Sequence, residues 1–171
     1  QYNNDYYPDV DDTAVAVMGL DRNGAPRFRQ AIDRAVEWVI GMQSKNGGWG
    51  AFDADNTHYY LNHIPFADHG ALLDPPTSDV TARCVGMLAQ LGYPSTHPAI
   101  ARGVEFLKSE QEQDGSWFGR WGVNYIYGTW SVLHALNAVG EDPAQPCIQK
   151  AVAWLKSIQR DDGGWGEDCG N

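Results

Sequence analysis

Gln43-Ser44-Lys45-Asn46-Gly47-Gly48-Trp49 sets a frame that returns twice along the chain. Gln111 leads to Ser116-Trp117 and Gln159 to Gly164-Trp165, each Trp six positions after its Gln. Upstream, Thr13, Thr81 and Thr129 each stand thirty positions before their Gln. Between these anchors three units align without a gap. Leu20, Leu88 and Leu136 share a position, as do Gly24, Gly92 and Gly140, then Ile32, Ile100 and Ile148, then Val36, Val104 and Val152. Trp38, Phe106 and Trp154 share another, and Arg34, Arg102 and Lys150 a third. A register held over so many positions marks a repeat protein.

Each unit reads as two helices. The first runs from about the Thr to the residue before the shared Gly, a residue suited to a helix C-cap. In the second unit it is apolar nearly all round (Val80, Ala82, Cys84, Val85, Met87, Leu88, Leu91), which predicts a buried inner helix. The second starts near Pro26 to Ala31, Pro98 or Pro146, where proline fits the first turn, and ends at the Gln. Its apolar residues recur at helical spacing among charges, which predicts an amphipathic outer helix. The Gln amide is expected to satisfy backbone groups at the helix end while the Trp ring packs on the neighbouring unit. Inner apolar and outer amphipathic helices in alternation give an all-α fold, an α/α solenoid or closed α/α toroid. Residues 1–171 then form part of a single domain, with unit anchors at 13–49, 81–117 and 129–165. In a toroid the inner helices start at one end, and the register puts Asp11, Asp79 and Tyr127 on that rim. Thr129 stands twelve positions after Trp117, but Thr81 stands thirty-two positions after Trp49. The surplus lies in 51–78, rich in aromatics, His, Asp and Pro; a loop that long in a compact repeat is usually functional and should cover the cavity mouth.

Length and composition narrow the classes. The 171 residues suffice for one domain with a sizeable core. A start at Gln1 without Met, and a stop just after the third Trp, predict an internal piece of a longer protein. Three helix pairs cannot close a toroid, so the piece alone is expected to be inactive. A formal charge of −10 argues against a nucleic-acid partner. No signal-peptide pattern opens the chain and no apolar run approaches the ~18 residues of a membrane span. Cys84, Cys147 and Cys169 are widely spaced and form no CxxC, which predicts reduced thiols in an intracellular compartment. Seven Trp, eight Tyr and five Phe supply either stacking between units or the lining of a large apolar pocket.

The chemistry-bearing stretch is Pro8-Asp9-Val10-Asp11-Asp12-Thr13-Ala14. Three carboxylates in four positions penalise one another's charge, so at least one pKa should rise, and a protonated carboxylic acid near neutral pH results. The same residues also make an ordinary helix start, with Asp12 or Thr13 as the cap. An EF-hand is excluded because its sixth and twelfth positions would be Ala14 and Leu20, and Asp53-Ala54-Asp55 fails likewise. Asp11-Asp12-Thr13-Ala14-Val15 lacks the third Asp of a DDxxD diphosphate site. His58, His63 and His69 lie near Asp53, Asp55 and Asp68 but without zinc-type spacing, so no metal is expected. No Gly-rich phosphate loop or nucleophile elbow occurs, and no cofactor is expected. His134, inside an apolar helix, reads as a hydrogen-bonded core residue. What remains is a protonated acid facing a cavity supplied with aromatic rings, which suits protonation of an alkene and carbocation chemistry. Ring faces stabilise a carbocation without attacking it. Arg83, on the adjacent inner helix, would stabilise the conjugate carboxylate and so strengthen the acid. Its removal is expected to lower turnover, most at high pH.

Asp9-Val10-Asp11-Asp12-Thr13-Ala14 together with the three Gln…Trp repeats resembles the squalene–hopene cyclases, the bacterial class II triterpene cyclases, whose DxDD and QW motifs they match. Asn62-His63-Ile64-Pro65-Phe66, Asp74-Pro75-Pro76, the run from Gly119 to Tyr125, and Gly164-Trp165-Gly166-Glu167-Asp168-Cys169 add to it. The resemblance spans the whole chain, which is about a quarter of a family member. It implies conversion of squalene to hopene and hopanol, for hopanoids, without a cofactor. It implies a monotopic enzyme on the cytoplasmic side of the membrane, touching the bilayer through regions outside this chain; a homodimer stays open. Carried over by residue, Asp11 is similar to the proton donor, flanked by Asp9 and Asp12. Asp79 matches a further catalytic acid, and Tyr127 a residue of the network that returns the proton. Phe52 and Trp121 match aromatic positions lining the cavity, and Phe66 one near the substrate-channel constriction. Two positions depart. Arg83 stands where some members pair His with the donor, and Phe52 where some have Tyr, which affects product distribution.

Three other readings compete. An oxidosqualene cyclase opens an epoxide with a weaker acid and lacks the DxDD pattern. A class II diterpene cyclase binds a diphosphate, for which few basic residues are present. A non-catalytic α/α binding module has no need of the Asp11–Arg83 pairing.

Overall fold

The structure, a computed structural model, describes residues 7–63 and 73–167. Six α-helices occur among them: α1 (Val10–Asn23), α2 (Arg29–Gly41), α3 (Ser78–Gln90), α4 (Pro98–Ser109), α5 (Asn124–Ala138) and α6 (Pro146–Ser157). Short 3₁₀ turns cover Pro26–Phe28 and Tyr59–His63. The one β pairing among the described residues is an isolated bridge between Trp49 and Thr77.

The inner helices begin earlier than the shared Thr. Asp9 is the N-cap of α1, in extended backbone conformation, and its side chain accepts the Asp12 N–H at 2.9 Å. A short carboxylate is among the strongest caps, since it satisfies an orphan first-turn donor and favours the helix dipole. The cap is therefore Asp9 rather than Asp12 or Thr13, whose hydroxyl donates instead to the Asp9 carbonyl. Pro98 and Pro146 open α4 and α6, and α2 starts at Arg29, within the expected 26–31, after the turn at Pro26.

The helices form two layers. α1, α3 and α5 stand side by side, with α3 packed against both neighbours, and α2, α4 and α6 each back their own inner partner. This is a sector of an α/α toroid. The core lies between the layers, where Val85, Met87, Leu88, Ile100, Leu107 and Leu136 are fully buried. α3, enclosed by α1, α4 and α5, buries residues on every face, from Ser78 to Leu88.

The Gln…Trp turns tie each unit to the next. Gln43 Nε2 donates to the Gly47 carbonyl at 2.8 Å and to the Ala99 carbonyl, in the first turn of α4, at 2.9 Å. Gln111 repeats this with Gly115 and with Cys147 of α6. The amide thus serves the turn and the following outer helix rather than the end of its own helix. Trp49 donates its indole N–H to the Val39 carbonyl of its own unit, and its backbone N–H to Thr81 Oγ1 of the next. Trp117 does the same with Leu107 and Thr129. The repeated Thr is thereby explained: its hydroxyl is the acceptor by which one unit receives the turn of the preceding one. Gly47 has φ +94°, and a Cβ there would stand 2.5 Å from the Arg102 carbonyl, so glycine is needed both for the turn and for the close approach of α4.

Candidate active site

The N-termini of the inner helices gather the acids. Asp11, in the first turn of α1, lies 3.1 Å (Oδ1) from Arg83 Nε on α3, an ion pair that meets the distance but not the angle of a hydrogen bond. Arg83 Nη2 donates to the Tyr127 hydroxyl of α5 at 2.9 Å. One guanidinium therefore bridges all three inner helices. The carboxyl of Asp11 is raised from 3.8 to about 6. Burial is the largest cause; Arg83 opposes it, and the charges of Asp9, Asp79 and Asp12 add to it. Repulsion within the acidic cluster, expected as the main cause, is secondary to desolvation. Because the Arg83 charge lowers the Asp11 pKa, the expected pH dependence of its removal also reverses in sign, as worked out below. Asp9 is occupied as the cap, and Asp12 is exposed and reaches Asp11 only through its charge. Burial raises the Tyr127 hydroxyl as well, so it stays neutral.

Asp79, 1% exposed at the start of α3, accepts the Trp121 N–H with Oδ2 at 2.9 Å. That bond places the Trp121 segment beside the helix N-termini. The Phe52 ring meets Trp121 edge to face, with centroids 5.9 Å apart at 83°, and Tyr7 meets Phe52 likewise at 6.3 Å. In such a pair the edge of one ring meets the face of the other. Phe66 lies outside the described residues, as do His69, Asp68 and Cys169. Among the described residues no group of His, Cys, Asp and Glu forms a cluster able to hold a metal ion.

Along the inner helices runs a cavity of about 420 Å³, with Val15, Met18, Arg22, Arg83, Trp130 and His134 in its wall. Here the expectation for His134 fails. It is exposed rather than core, stacked on Trp130 at 6.1 Å, which in turn stacks on Tyr127 at 6.5 Å. The i, i+3 and i+7 spacing of these three rings on α5 carries that signal in the sequence, but an all-apolar helix does not reveal which face is open. Tyr7 and Arg120, whose guanidinium lies 5.6 Å from the Trp121 ring centroid, join the site without a signal of their own in the repeat; Arg120 is marked in the sequence only as part of the run from Gly119 to Tyr125.

Asp9-Val10-Asp11-Asp12 thus sets an acid between a cation and a tyrosine at one end of an α/α repeat, with aromatic rings beside it, the arrangement expected of the DxDD class of proteins. The squalene-hopene cyclase C-terminal domain is the family whose model matches, over residues 1–171, and the chain belongs to that family. Among its relatives, the squalene-hopene cyclase of Schizosaccharomyces japonicus is 68% identical over 140 residues, covering 82% of this chain and 21% of the relative. That of Alicyclobacillus acidocaldarius is 55% identical over 143 residues, covering 82% and 23%. The dammaradiene synthase of Dryopteris crassirhizoma is 46% identical over 151 residues, covering 81% and 22%. The chain thus spans about a fifth of the length of these relatives. A crystal structure of a protein from Actinoplanes superposes with a TM-score of 0.55 at 23% identity, covering 92% of this chain and 39% of that one, and shares the fold.

Proposed function

We propose that the chain is the acid-bearing part of an enzyme that cyclises squalene to hopene and hopanol. The observation that carries the reading is the Asp11–Arg83–Tyr127 arrangement. Burial keeps the Asp11 proton on to about pH 6, and a fixed cation waits for the carboxylate that remains when it leaves. The proton moves from the Asp11 carboxyl to the less substituted carbon of a terminal trisubstituted C=C bond, whose π pair forms the new C–H bond and leaves a tertiary cation on the other carbon. Successive double bonds attack that cation, closing rings, while Phe52 and Trp121 offer π faces that stabilise charge without bonding to it. Proton loss ends the cascade as hopene, and capture of water followed by loss of a proton from the resulting oxonium ends it as hopanol. Tyr127, held by Arg83, stands on the route by which a proton from water returns to Asp11. Asp79 supports the site through Trp121, and Asp9 and Asp12 through the helix start and its charge.

The substrate is wholly apolar and partitions into lipid, so the reading extends to a membrane-surface enzyme on the cytoplasmic side that draws substrate from the bilayer. No helix among the described residues is long and apolar enough to cross a membrane. The test is expression of the complete parent protein and product analysis with squalene. Hopene and hopanol are expected from the unsubstituted protein and none from Asp11→Asn with its fold intact. Near-normal turnover by that variant would remove Asp11 from the donor role.

A further inference from the structure

A phenyl ring has no hydrogen-bonding atom, so Phe52 is oriented by its backbone and its neighbours. Its N–H donates to Asp74 Oδ2 at 2.6 Å, and the same oxygen accepts the Asp53 N–H at 3.0 Å. The turn closes tightly round this carboxylate. A Cβ on Gly50 would stand 2.7 Å from the Asp74 carbonyl oxygen and 2.9 Å from Oδ2, contacts that only glycine avoids. Asp74 is 8% exposed and its Oδ1 has no hydrogen-bond partner. Burying a carboxylate is costly unless charge-assisted hydrogen bonds offset it, and the two amides at Phe52 and Asp53 supply them. The residue beside it serves the other ring: the Leu73 carbonyl accepts Arg120 Nη2 at 2.8 Å, and Arg120 lies against Trp121. Two consecutive residues of the long insertion therefore hold both members of the Phe52–Trp121 pair, one ring from just past the first Gln…Trp turn and one from just past the second.

We propose that Asp74 is a positioning residue that sets the Phe52 ring against Trp121 and thereby governs which products leave the cascade. The inference rests on the cyclase reading above. It assigns Asp74 no part in the first proton transfer, which belongs to Asp11. A misplaced ring leaves an intermediate cation without its π face, so a base or water ends the reaction early and partly cyclised products accumulate.

The experiment compares the complete parent protein with its Asp74→Asn, Asp74→Ala, Phe52→Ala and Asp74→Ala/Phe52→Ala variants, using squalene. Product ratios, turnover against pH and thermal melts are measured. Asp74→Ala should raise the partly cyclised fraction by about tenfold, the size expected when charge-assisted hydrogen bonds are lost. Its product set should match that of Phe52→Ala, and the double variant should add nothing, because both act through one ring. Asp74→Asn keeps one acceptor oxygen and should fall between. The pH at which turnover halves should not move. Unaltered product ratios in Asp74→Asn, or product changes that add in full to those of Phe52→Ala, overturn the proposal. Asp74→Asn decides the matter should Asp74→Ala not fold. Absence of any cyclised triterpene from the unsubstituted protein would instead overturn the cyclase reading itself.

Discussion

Asp11 keeps its proton to about pH 6 because desolvation outweighs the Arg83 charge beside it. At pH 7 about one molecule in ten then carries the acid form. Turnover of the complete enzyme should be level below about pH 6 and fall about tenfold per unit above it; a rate that keeps rising through pH 8 would mean that Asp11 is not the titrating donor. Folding raises this pKa, so the folded state holds the proton more tightly than the unfolded chain. Its contribution to stability is full below the unfolded value of 3.8 and is lost as pH rises through about 6. In urea unfolding, the stability of the parent relative to Asp11→Asn should therefore decline between pH 4 and 6. Arg83→Ala is the companion case. Without the cation the Asp11 pKa rises further, so the falling limb moves to higher pH, while the plateau at low pH drops because the carboxylate left by proton transfer has lost its counter-charge. The fractional loss is thus greatest at low pH, opposite to the expectation from sequence. That expectation treated Arg83 only as an aid to proton release and omitted its effect on how long the proton is held. Arg83→Lys keeps a charge and should leave the limb close to its parent position in a pH–rate profile.

α5 depends on a group far from it in sequence. The N–H groups of Tyr125 and Ile126, orphan donors of its first turn, go to the two oxygens of Glu167 at 2.9 and 2.8 Å. The carboxylate acts as a cap supplied from beyond the third Gln…Trp turn, with the sign of charge that the helix N-terminus favours. Glu167→Ala should cost about 1–2 kcal/mol, the scale of a lost cap, and Glu167→Gln less, measured by chemical unfolding. Because Tyr127 sits one residue past that pair, Glu167→Ala should also slow turnover; unchanged turnover with the stability loss present would separate the cap from the site. This element shows where sequence reading stopped. The gap-free register yielded the order of helices and their two layers, since each anchor and its partner recur at a fixed offset. It misplaced the helix starts by several residues, because Asp9 and Glu167 cap from outside the repeated positions. Asp74 carries no signal in the repeat: it lies about twenty residues from the amides it binds, in the one insertion that has no counterpart in the other units. His134 was assigned to the core from the apolarity of its own helix, whereas exposure depends on which face a neighbouring helix covers.

Besides the packing of α3 on α1 and α5, the units are joined by a few polar contacts, each repeated. Trp49 and Trp117 are fully buried, while Trp165, which ties to Leu155 in the same way, is 47% exposed. Trp49 packs against Gly103 of α4, in the next unit, where a Cβ would stand 3.0 Å from its ring. Sequence periodicity reveals that such units stack, but the atoms that join them emerge only when two units are placed together. Thr81 and Thr129 are those atoms' carriers, each 0% exposed and each accepting the backbone N–H of the preceding Trp at 2.9 Å. Replacement by valine preserves shape and removes the acceptor, leaving a buried N–H unpaired at a cost of about 1–3 kcal/mol. Because a repeat fold is stabilised by nearest-neighbour terms, the Thr81→Val and Thr129→Val losses should be similar. They belong to different interfaces, so the double variant should lose their sum within about 0.5 kcal/mol. Urea unfolding of the complete protein measures the energies, and amide exchange at Trp49 and Trp117 reports each interface separately. Thr81→Val should raise exchange at Trp49 and leave Trp117 protected. Equal loss of protection at both Trp residues would mean that the inner helices open as one body, and that the Thr hydroxyls do not join the units pair by pair.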